Sequence, residues 1–456
     1  MPSQTIPSGW VQAKISDIAI KGMQRKPKSG ESFTYVDIGS IDRSLKRISV
    51  PQVIDGGEAP SRARKIIENG DVLVSLTRPN LNAVALVSQK YHKQIASTGF
   101  EVIKPVFVDS RYIFALVRSK EFIDQISGVV QGALYPAAKS SDVQNFAFAL
   151  PPLAEQKVIA DKLDTLLVQV ENTKARLERI PQILKRFRQS VLAAAVSGRL
   201  AEAWLREKSA QKESWPILTA KEICEKVQSG STPKNNPFEQ NGTVPFLKVY
   251  NIVDQKIDFE YRSQFITEEV HTTKLKRSIG YPGDILMNIV GPPLGKVAIL
   301  PDTHSEWNLN QALTLFRPEP GKLLPKFLYY VLCEGSLVRD VTHDLKGIVG
   351  QVNISLTQCR EAKIPCPSLT EQTEIVRRVD QLFAHADRIE QQVNQALARI
   401  SNLTQSILAK AFCGELTEQW RKDNPGLISG ENSAEALLER IKAERITVVK
   451  QTRGRS

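Results

Sequence analysis

The chain contains a long internal duplication, which constrains its fold more than any other sequence feature. Residues Leu153–Trp204 align with Leu369–Trp420 at a constant offset of 216 and without a gap, and 15 of the 52 aligned positions are identical. Self-similarity at a fixed offset indicates repeated structural units, and this period is far too long for a solenoid. We therefore expect two copies of one architecture within the 456 residues.

Two weaker matches extend the duplication upstream. The segment from Gly70 to Ala85 aligns with the segment from Gly283 to Ala298 at an offset of 213, and Trp10 pairs with Trp215 at an offset of 205. The small drift in offset predicts a few short insertions. The predicted order is globular domain, helical segment, globular domain, helical segment and tail, with the boundaries 1–152, 153–204, 205–368, 369–420 and 421–456.

The helical segments carry a long apolar stripe with alternating steps of four and three residues, which is typical of a coiled coil. The predicted seam positions are Ile159, Leu163, Leu166, Val170, Leu177, Leu184, Ile375, Val379, Leu382, Val393, Ile400 and Leu403. We expect the two helices to pack antiparallel on each other, although each could instead pack on its own globular domain. Pro181 interrupts the first stripe, and we expect a bend there rather than an end.

Each globular domain has a mixed pattern that predicts an α+β fold on a twisted, mostly antiparallel sheet. Short apolar runs bounded by Gly, Pro and Asn predict the strands. These runs are 34–38, 71–76, 84–87, 102–103, 244–248, 285–290, 297–300 and 313–316. Helical periodicity predicts helices at 112–119, 121–128, 325–333 and 337–342. In the tail, Leu437, Leu438 and Ile441 predict one amphipathic helix, which either docks on a partner or the N-terminal segment or remains solvated.

The formal net charge of +12 favours a polyanionic partner. It is uneven, because residues 1–205 carry 28 basic and 19 acidic side chains (+9), which leaves 33 against 30 (+3) for the remainder. Arg and Asn read base edges in pairs of hydrogen bonds, and Lys mainly meets phosphate. The candidate DNA contacts, each of which could equally be an ordinary solvated loop residue, are Arg25, Lys26, Lys28, Arg62, Arg64, Arg78, Asn80, Lys234, Asn235, Lys274 and Arg277.

No catalytic or metal-binding motif stands out. The sequence Asn236-Pro237-Phe238 lacks the second proline of an adenine methyltransferase motif, and Gly291–Val297 has the wrong spacing for a phosphate-binding loop. The five histidines are scattered without metal-ligand spacing, and the five cysteines form no C-x-x-C pair. We expect no catalysis, metal or cofactor in this chain itself. With no long apolar run and no signal peptide, we expect it in the cytoplasm.

The helical segments resemble a known family. Pro151–Gln156, the heptads, and the segment from Gln189 to Leu200 look like the central conserved region of type I restriction–modification specificity subunits. The second copy, from Pro367 to Trp420, resembles the family's second conserved region, and the length of the match suggests the enterobacterial branch often called IA.

The resemblance implies that each globular domain is a target recognition domain for one half of a bipartite, asymmetric DNA sequence. The coiled coil would set the spacing between the half-sites and dock two methyltransferase subunits, and restriction subunits would join them. One copy of this chain would serve each complex, with S-adenosylmethionine, ATP and Mg²⁺ used by the partners. The alternative is a coiled-coil interaction scaffold without sequence-specific DNA reading.

Overall fold

The chain forms two compact units, each built from segments that are distant in sequence. The computed structural model describes residues 6–128, 137–207, 214–233, 238–239, 242–343 and 353–453. Unit 1 comprises Met1–Glu178 and Gln395–Ser456, and unit 2 comprises Arg179–Asn394. Each unit therefore combines one globular domain with parts of both helical segments, and the five domain boundaries drawn from the sequence stay a prediction.

Unit 1 contains two four-stranded sheets and two two-stranded ones. One four-stranded sheet has the order Gln52–Asp55, Ser32–Val36, Gln94–Ser97, Ala63–Ile67, and the other has the order Ala19–Ile20, Phe100–Pro105, Val72–Ser75, Val84–Leu86. The two-stranded sheets pair Val11–Lys14 with Ala147–Leu150 and Ile41–Asp42 with Arg47–Ile48. Every pairing is antiparallel except that of Ser32–Val36 with Gln94–Ser97, which is parallel.

Unit 2 repeats most of this topology, but one edge strand differs. Ala63–Ile67 pairs with Gln94–Ser97 in unit 1, whereas Phe238–Glu239 pairs with Phe265–Ile266 at the opposite edge in unit 2. Its four-stranded sheets have the orders Cys224–Ser229, Leu313–Pro318, Ile285–Asn288, Val297–Ile299 and Phe238–Glu239, Phe265–Ile266, Val244–Leu247, Asn308–Leu309. Its two-stranded sheets pair Ile217–Thr219 with Lys363–Pro365 and Ile252–Val253 with Lys256–Ile257. The parallel pair also recurs, between Val244–Leu247 and Asn308–Leu309. The duplication inferred from the helical segments therefore extends through both globular domains.

The α+β class and the mostly antiparallel pairing are confirmed, but the expectation of one sheet in each domain is wrong. A run of apolar residues marks a strand without saying which strand it pairs with, and the strands here divide between two sheets.

The four short helices predicted in the globular domains and the tail helix lie close to their predicted positions, and the structure adds further short helices that the sequence did not predict. The shorter α-helices of unit 1 are Ile15–Ile18, Ser110–Leu116, Lys120–Ser127, Ser140–Gln144, Glu418–Asp423 and Ala434–Arg453. Those of unit 2 are Glu202–Glu207, Ala220–Ile223, Glu268–Thr272, Pro325–Glu334, Ser336–His343 and Leu356–Arg360.

The two helical segments form 44-residue helices, Leu153–Val196 and Leu369–Phe412. Helical structure continues through Pro181, so the first helix does not end there. In unit 1, Leu163 and Leu167 share a core with Leu408 and Ala411. In unit 2 the early part of the second helix packs on the late part of the first helix.

In the core of unit 2, Val191 and Leu192 join Ile375 and Val379. Within each unit, the beginning of one long helix thus meets the end of the other, as antiparallel packing requires. Arg188 reinforces the contact within unit 2 by hydrogen bonds of 2.7 Å to both Asp387 and Glu390.

The predicted seam positions differ in burial. Ile159, Leu163, Leu184, Ile375, Val379 and Val393 are buried, and Leu166, Val170, Leu177, Leu382 and Ile400 are half-buried. Leu403 is 47% exposed, while Leu408 is buried. Of the buried seam positions, Ile159 and Leu163 belong to the core of unit 1, and Ile375 and Val379 belong to the core of unit 2.

The tail docks on the N-terminal segment within unit 1. Its helix, Ala434–Arg453, buries Leu437 and Ile441 in the same core as Ile15 and Ile18. The Arg445 guanidinium donates a 3.2 Å hydrogen bond to the Asp17 carbonyl. Of the alternatives left open by the sequence, the structure shows docking on the N-terminal segment.

Candidate nucleic-acid interface

A glutamate at the start of each long helix, buried in unit 1 and half-buried in unit 2, anchors each globular domain. In unit 1 the Trp10 indole donates a 2.8 Å hydrogen bond to Glu155 Oε2, and in unit 2 the Trp215 indole donates one of 3.2 Å to Glu371 Oε1. The repeated Leu-x-Glu-Gln motif and the repeated tryptophan are therefore halves of one contact. The sequence showed both repeats but not that they touch.

The glutamine of the same motif makes a second duplicated contact. Gln156 accepts from the Asp109 amide at 3.0 Å and donates to the Pro151 carbonyl at 2.8 Å. Gln372 accepts from the Leu324 amide at 2.8 Å and donates to the Pro367 carbonyl at 2.8 Å. Both units thus hold a loop of the globular domain against the start of a long helix. We call the tryptophan–glutamate and glutamine contacts of each unit its frame, because they fix the domain from which the surface loops project.

The first group of predicted contacts forms one basic face in unit 1. The segment after Ile20 runs antiparallel to strand Ala63–Ile67, with Gln24 opposite Lys65 and the Arg25 amide bonded to the Arg64 carbonyl at 2.9 Å. Residues opposite each other in an antiparallel pair share a face. Arg25 and Arg64 are therefore neighbours, and Arg62 lies in the turn just before this strand.

Glu31 partly neutralises this face. Its carboxylate forms a two-pronged ion pair with Arg25, which lowers the pKa of Glu31 to about 2 and raises that of Arg25. Lys26, Lys28 and Arg62 are exposed, and none of them is in an ion pair among the residues that the structure describes. The face therefore carries a net positive charge, and its exposed cations can contact DNA phosphates or base edges.

Arg78 and Asn80 belong to a different part of unit 1. Both are exposed on the turn around Pro79–Leu81. The adjacent Asn82 donates a 2.8 Å hydrogen bond to the Val117 carbonyl, which ties this turn to the end of helix Ser110–Leu116. These two residues thus lie on a different turn from the residues of the basic face around Arg25.

In unit 2, Lys274 and Arg277 are exposed on a turn that a buried polar network supports. His271 Nε2 lies 2.9 Å from Glu306 Oε2, and its Nδ1 lies 3.1 Å from the Asn308 amide nitrogen. The Ser278 hydroxyl donates to Asn308 Oδ1 at 2.7 Å. Satisfied buried networks of this kind fix a loop in one conformation. Lys234 and Asn235 lie outside the described residues.

Arg262 is a candidate contact that the sequence reading missed. Its guanidinium carbon lies 5.9 Å from the ring centre of Tyr250 and 5.3 Å from that of Tyr261. The Asn251 amide donates to the Tyr261 carbonyl at 2.9 Å and so fixes the loop. Stacking on aromatic rings fixes the orientation of a planar guanidinium, which can then form paired hydrogen bonds with a phosphate or a base edge. The only sequence signal was an adjacent Tyr-Arg pair in a polar stretch.

The described residues offer no evident site for metal chemistry or membrane insertion. No group of three or more His, Cys, Asp or Glu side chains that could hold a metal ion occurs in that part of the chain. Among the same residues, no helix is both long and apolar enough to cross a membrane. The candidate nucleic-acid interface is a set of basic loops on the duplicated frame.

Known proteins share this architecture and much of this sequence. The type I restriction modification DNA specificity domain matches residues 7–182 and 212–399. The EcoKI specificity subunit of Escherichia coli strain K12 is 35% identical over 457 residues, which cover 98% of this chain and 97% of that protein. The EcoBI specificity subunit of Escherichia coli is 45% identical over 317 residues, covering 67% of this chain and 66% of that protein.

Solved structures agree with the sequence relatives. A chain from a study of assembly and conformational transition of the type I restriction–modification system superposes with a TM-score of 0.73 at 26% identity, covering 90% of this chain and 98% of that one. The HsdS subunit from Thermoanaerobacter tengcongensis gives a TM-score of 0.62 at 27% identity, covering 91% and 99%. The chain belongs to the family of type I restriction–modification DNA specificity subunits.

Proposed function

We propose that each unit reads one half of a bipartite, asymmetric DNA target through its own basic loops. The observation that carries this proposal is a contrast between the two copies. The frame is duplicated down to the tryptophan–glutamate and glutamine contacts. The cationic side chains differ. In unit 1 Arg64 lies on strand Ala63–Ile67 and Arg62 just before it, whereas in unit 2 Lys274 and Arg277 lie on a turn.

A repeated frame with different surface side chains suits an asymmetric target. Two identical reading surfaces would favour a palindrome, whereas different arginine and lysine arrangements favour two different half-sites. The excess of charge in residues 1–205 predicts more phosphate contacts for the first half-site than for the second.

The paired long helices suit a spacer between the half-sites and a docking surface for two methyltransferase subunits. We propose that adenine methylation and DNA cleavage belong to methyltransferase and restriction subunits, with one copy of this chain in each complex. S-adenosylmethionine, ATP and Mg²⁺ would be used by those partners.

Methylome sequencing tests the proposal. Cells that express this chain with its methyltransferase partner should show a bipartite adenine-methylation motif, and cells lacking only this chain should lose it. The double variant Lys274→Gln and Arg277→Gln should weaken or relax one half of the motif and leave the other unchanged. A methylome that does not depend on this chain would favour an interaction scaffold over a DNA reader.

A further inference from the structure

Three cations in unit 1, Arg43, Lys46 and Arg118, occupy one region beside a small hairpin. We call them the hairpin cluster. Lys46 lies in the turn between strands Ile41–Asp42 and Arg47–Ile48, and its Nζ donates a 2.6 Å hydrogen bond to the Asn82 carbonyl. Asn82 in turn binds the carbonyl of the residue before Arg118. Hairpin, turn and helix end therefore meet in one place.

Lys46 is half-buried without a carboxylate partner among the described residues. Other poorly exposed lysines of unit 1 differ, since Lys65 pairs with Glu101 at 3.2 Å and Lys104 pairs with Asp71 at 3.1 Å. Burial, together with the charges of Arg118 and Arg43, lowers the pKa of Lys46 to about 8, while Asp42 acts in the opposite direction. An anion would relieve this repulsion.

The carboxylates around the cluster leave it positive. Asp42 Oδ1 accepts the backbone amides of Ser44 and Leu45, so it is engaged by the hairpin itself. The Arg118 guanidinium forms an ion pair with Glu171 at 3.7 Å. Arg43 and Lys46 are in no ion pair among the described residues, so these two cations leave the cluster positive.

The backbone of this region is unusual as well. Lys46, Arg78 and Asn82 have φ values of 52°, 50° and 46°, in the left-handed region that residues other than glycine rarely adopt. Such residues concentrate at binding sites, where surrounding contacts hold them in place. Here Lys46 belongs to the cluster, and Asn82 accepts its hydrogen bond.

Unit 2 joins the corresponding hairpin, Ile252–Val253 with Lys256–Ile257, to its neighbours in a related way. The Gln255 side chain accepts from the Val297 amide, and the Gln255 carbonyl accepts from the Tyr329 hydroxyl at 3.1 Å. Lys296 Nζ donates a 3.0 Å hydrogen bond to the Ile252 carbonyl. In both units a lysine therefore links this hairpin to a neighbouring segment, and in unit 1 the charges of Arg43 and Arg118 act on that lysine in addition.

We propose that the hairpin cluster binds a backbone phosphate of the DNA that the first recognition domain reads. The inference rests on the proposed function and assigns a site within it. Lysine and arginine side chains grouped on partly buried, fixed elements match the charge and the hydrogen-bond acceptors of a phosphodiester.

The salt dependence of DNA binding by the full-length chain tests this site. The probe is a fluorescein-labelled, mixed-sequence duplex of about 45 base pairs, titrated by anisotropy between 50 and 200 mM salt. Each phosphate contact contributes about 0.9 to the slope of log affinity against log salt concentration. Lys46→Gln and Arg43→Gln should each lower the slope by up to that amount. The matched control Lys442→Gln removes the same charge from an exposed position on the tail helix.

A second measurement uses pH. Phosphate favours the charged form of Lys46, so wild-type affinity should fall more between pH 7 and 9 than that of Lys46→Arg, which stays charged. The inference would be overturned if the Lys46 and Arg43 variants had the same salt slopes and the same pH profiles as the control Lys442→Gln. Thermal stabilisation of the wild type by inorganic phosphate, with unchanged DNA slopes in the variants, would assign free phosphate instead and also overturn it. Failure of the wild-type chain to bind duplex DNA would count against the proposed function itself.

Discussion

The contact around Glu155 gives a sharp prediction about stability. Its side chain is fully buried and accepts hydrogen bonds from the Trp10 indole at 2.8 Å, from the Thr417 hydroxyl at 2.6 Å and from the Arg421 guanidinium. Arg421 also donates to the Gly414 carbonyl and lies over the Trp10 ring. This ion pair joins the first and last parts of unit 1, so removing the cation leaves a buried carboxylate uncompensated.

Arg421→Met should destabilise unit 1 by about 3–5 kcal/mol, the usual cost of breaking a buried ion pair by removing one partner. Solvent does not weaken this pair, because the Arg421 side chain is only 11% exposed and Glu155 is not exposed at all. Lys422→Met is the matched control, since Lys422 is 65% exposed and pairs only with Glu418 four residues earlier. It should cost no more than about 0.5 kcal/mol.

Native-state hydrogen exchange read by mass spectrometry suits this test, because peptides from unit 1 and unit 2 are distinguished. Protection should fall in unit 1 and stay unchanged in unit 2. The double variant Glu155→Gln with Arg421→Met should recover part of the loss, because the uncompensated charge is gone. Equal effects of Arg421→Met and Lys422→Met would refute the reasoning.

Three further predictions concern the helices and unit 2. Adding about one helical turn to helix Leu153–Val196 should lengthen the spacer of the methylated motif and leave both half-sites unchanged, as methylome sequencing would show. Arg262→Ala should weaken target binding by about 1–3 kcal/mol if the side chain reads a base, whereas Arg262→Lys should keep charge but not specificity, measured by anisotropy on matched and half-site-mutated duplexes. Hydrogen bonds from Arg377 and Arg378 lower the pKa of Glu374 to about 2. Glu374 therefore stabilises unit 2 above pH 4.5 and loses this effect as the pH falls toward 2, so urea midpoints should decline more for the wild type than for Glu374→Gln between pH 5 and 3.

Much of the fold was predictable because local sequence patterns determine it. The two long helices followed from apolar steps of four and three residues, and Gly198 and Gly414, both with positive φ, stop them near their predicted ends. Eight strands followed from short apolar runs, but others, such as Ala63–Ile67, were not predicted. Strand partners could not be predicted, because a parallel pair such as Ser32–Val36 with Gln94–Ser97 joins residues about 60 positions apart.

The candidate site was harder to predict than the fold. Sequence reasoning selected exposed cations by composition, and the structure places them in different groups, such as the face around Arg25 and the turn at Arg78. Lys46 and Arg262 were missed because their environment, rather than their identity, distinguishes them. Burial among other cations sets Lys46 apart, and two tyrosine rings set Arg262 apart.

By itself the sequence determined the duplication, the coiled-coil seam and the family, because repeats and heptads are properties of residue order alone. The tertiary structure decided why Trp10 and Glu155 recur as Trp215 and Glu371, since their hydrogen bonds join residues 145 and 156 positions apart. It also decided which loops carry charge together, because that depends on which strands and turns become neighbours after the chain has folded.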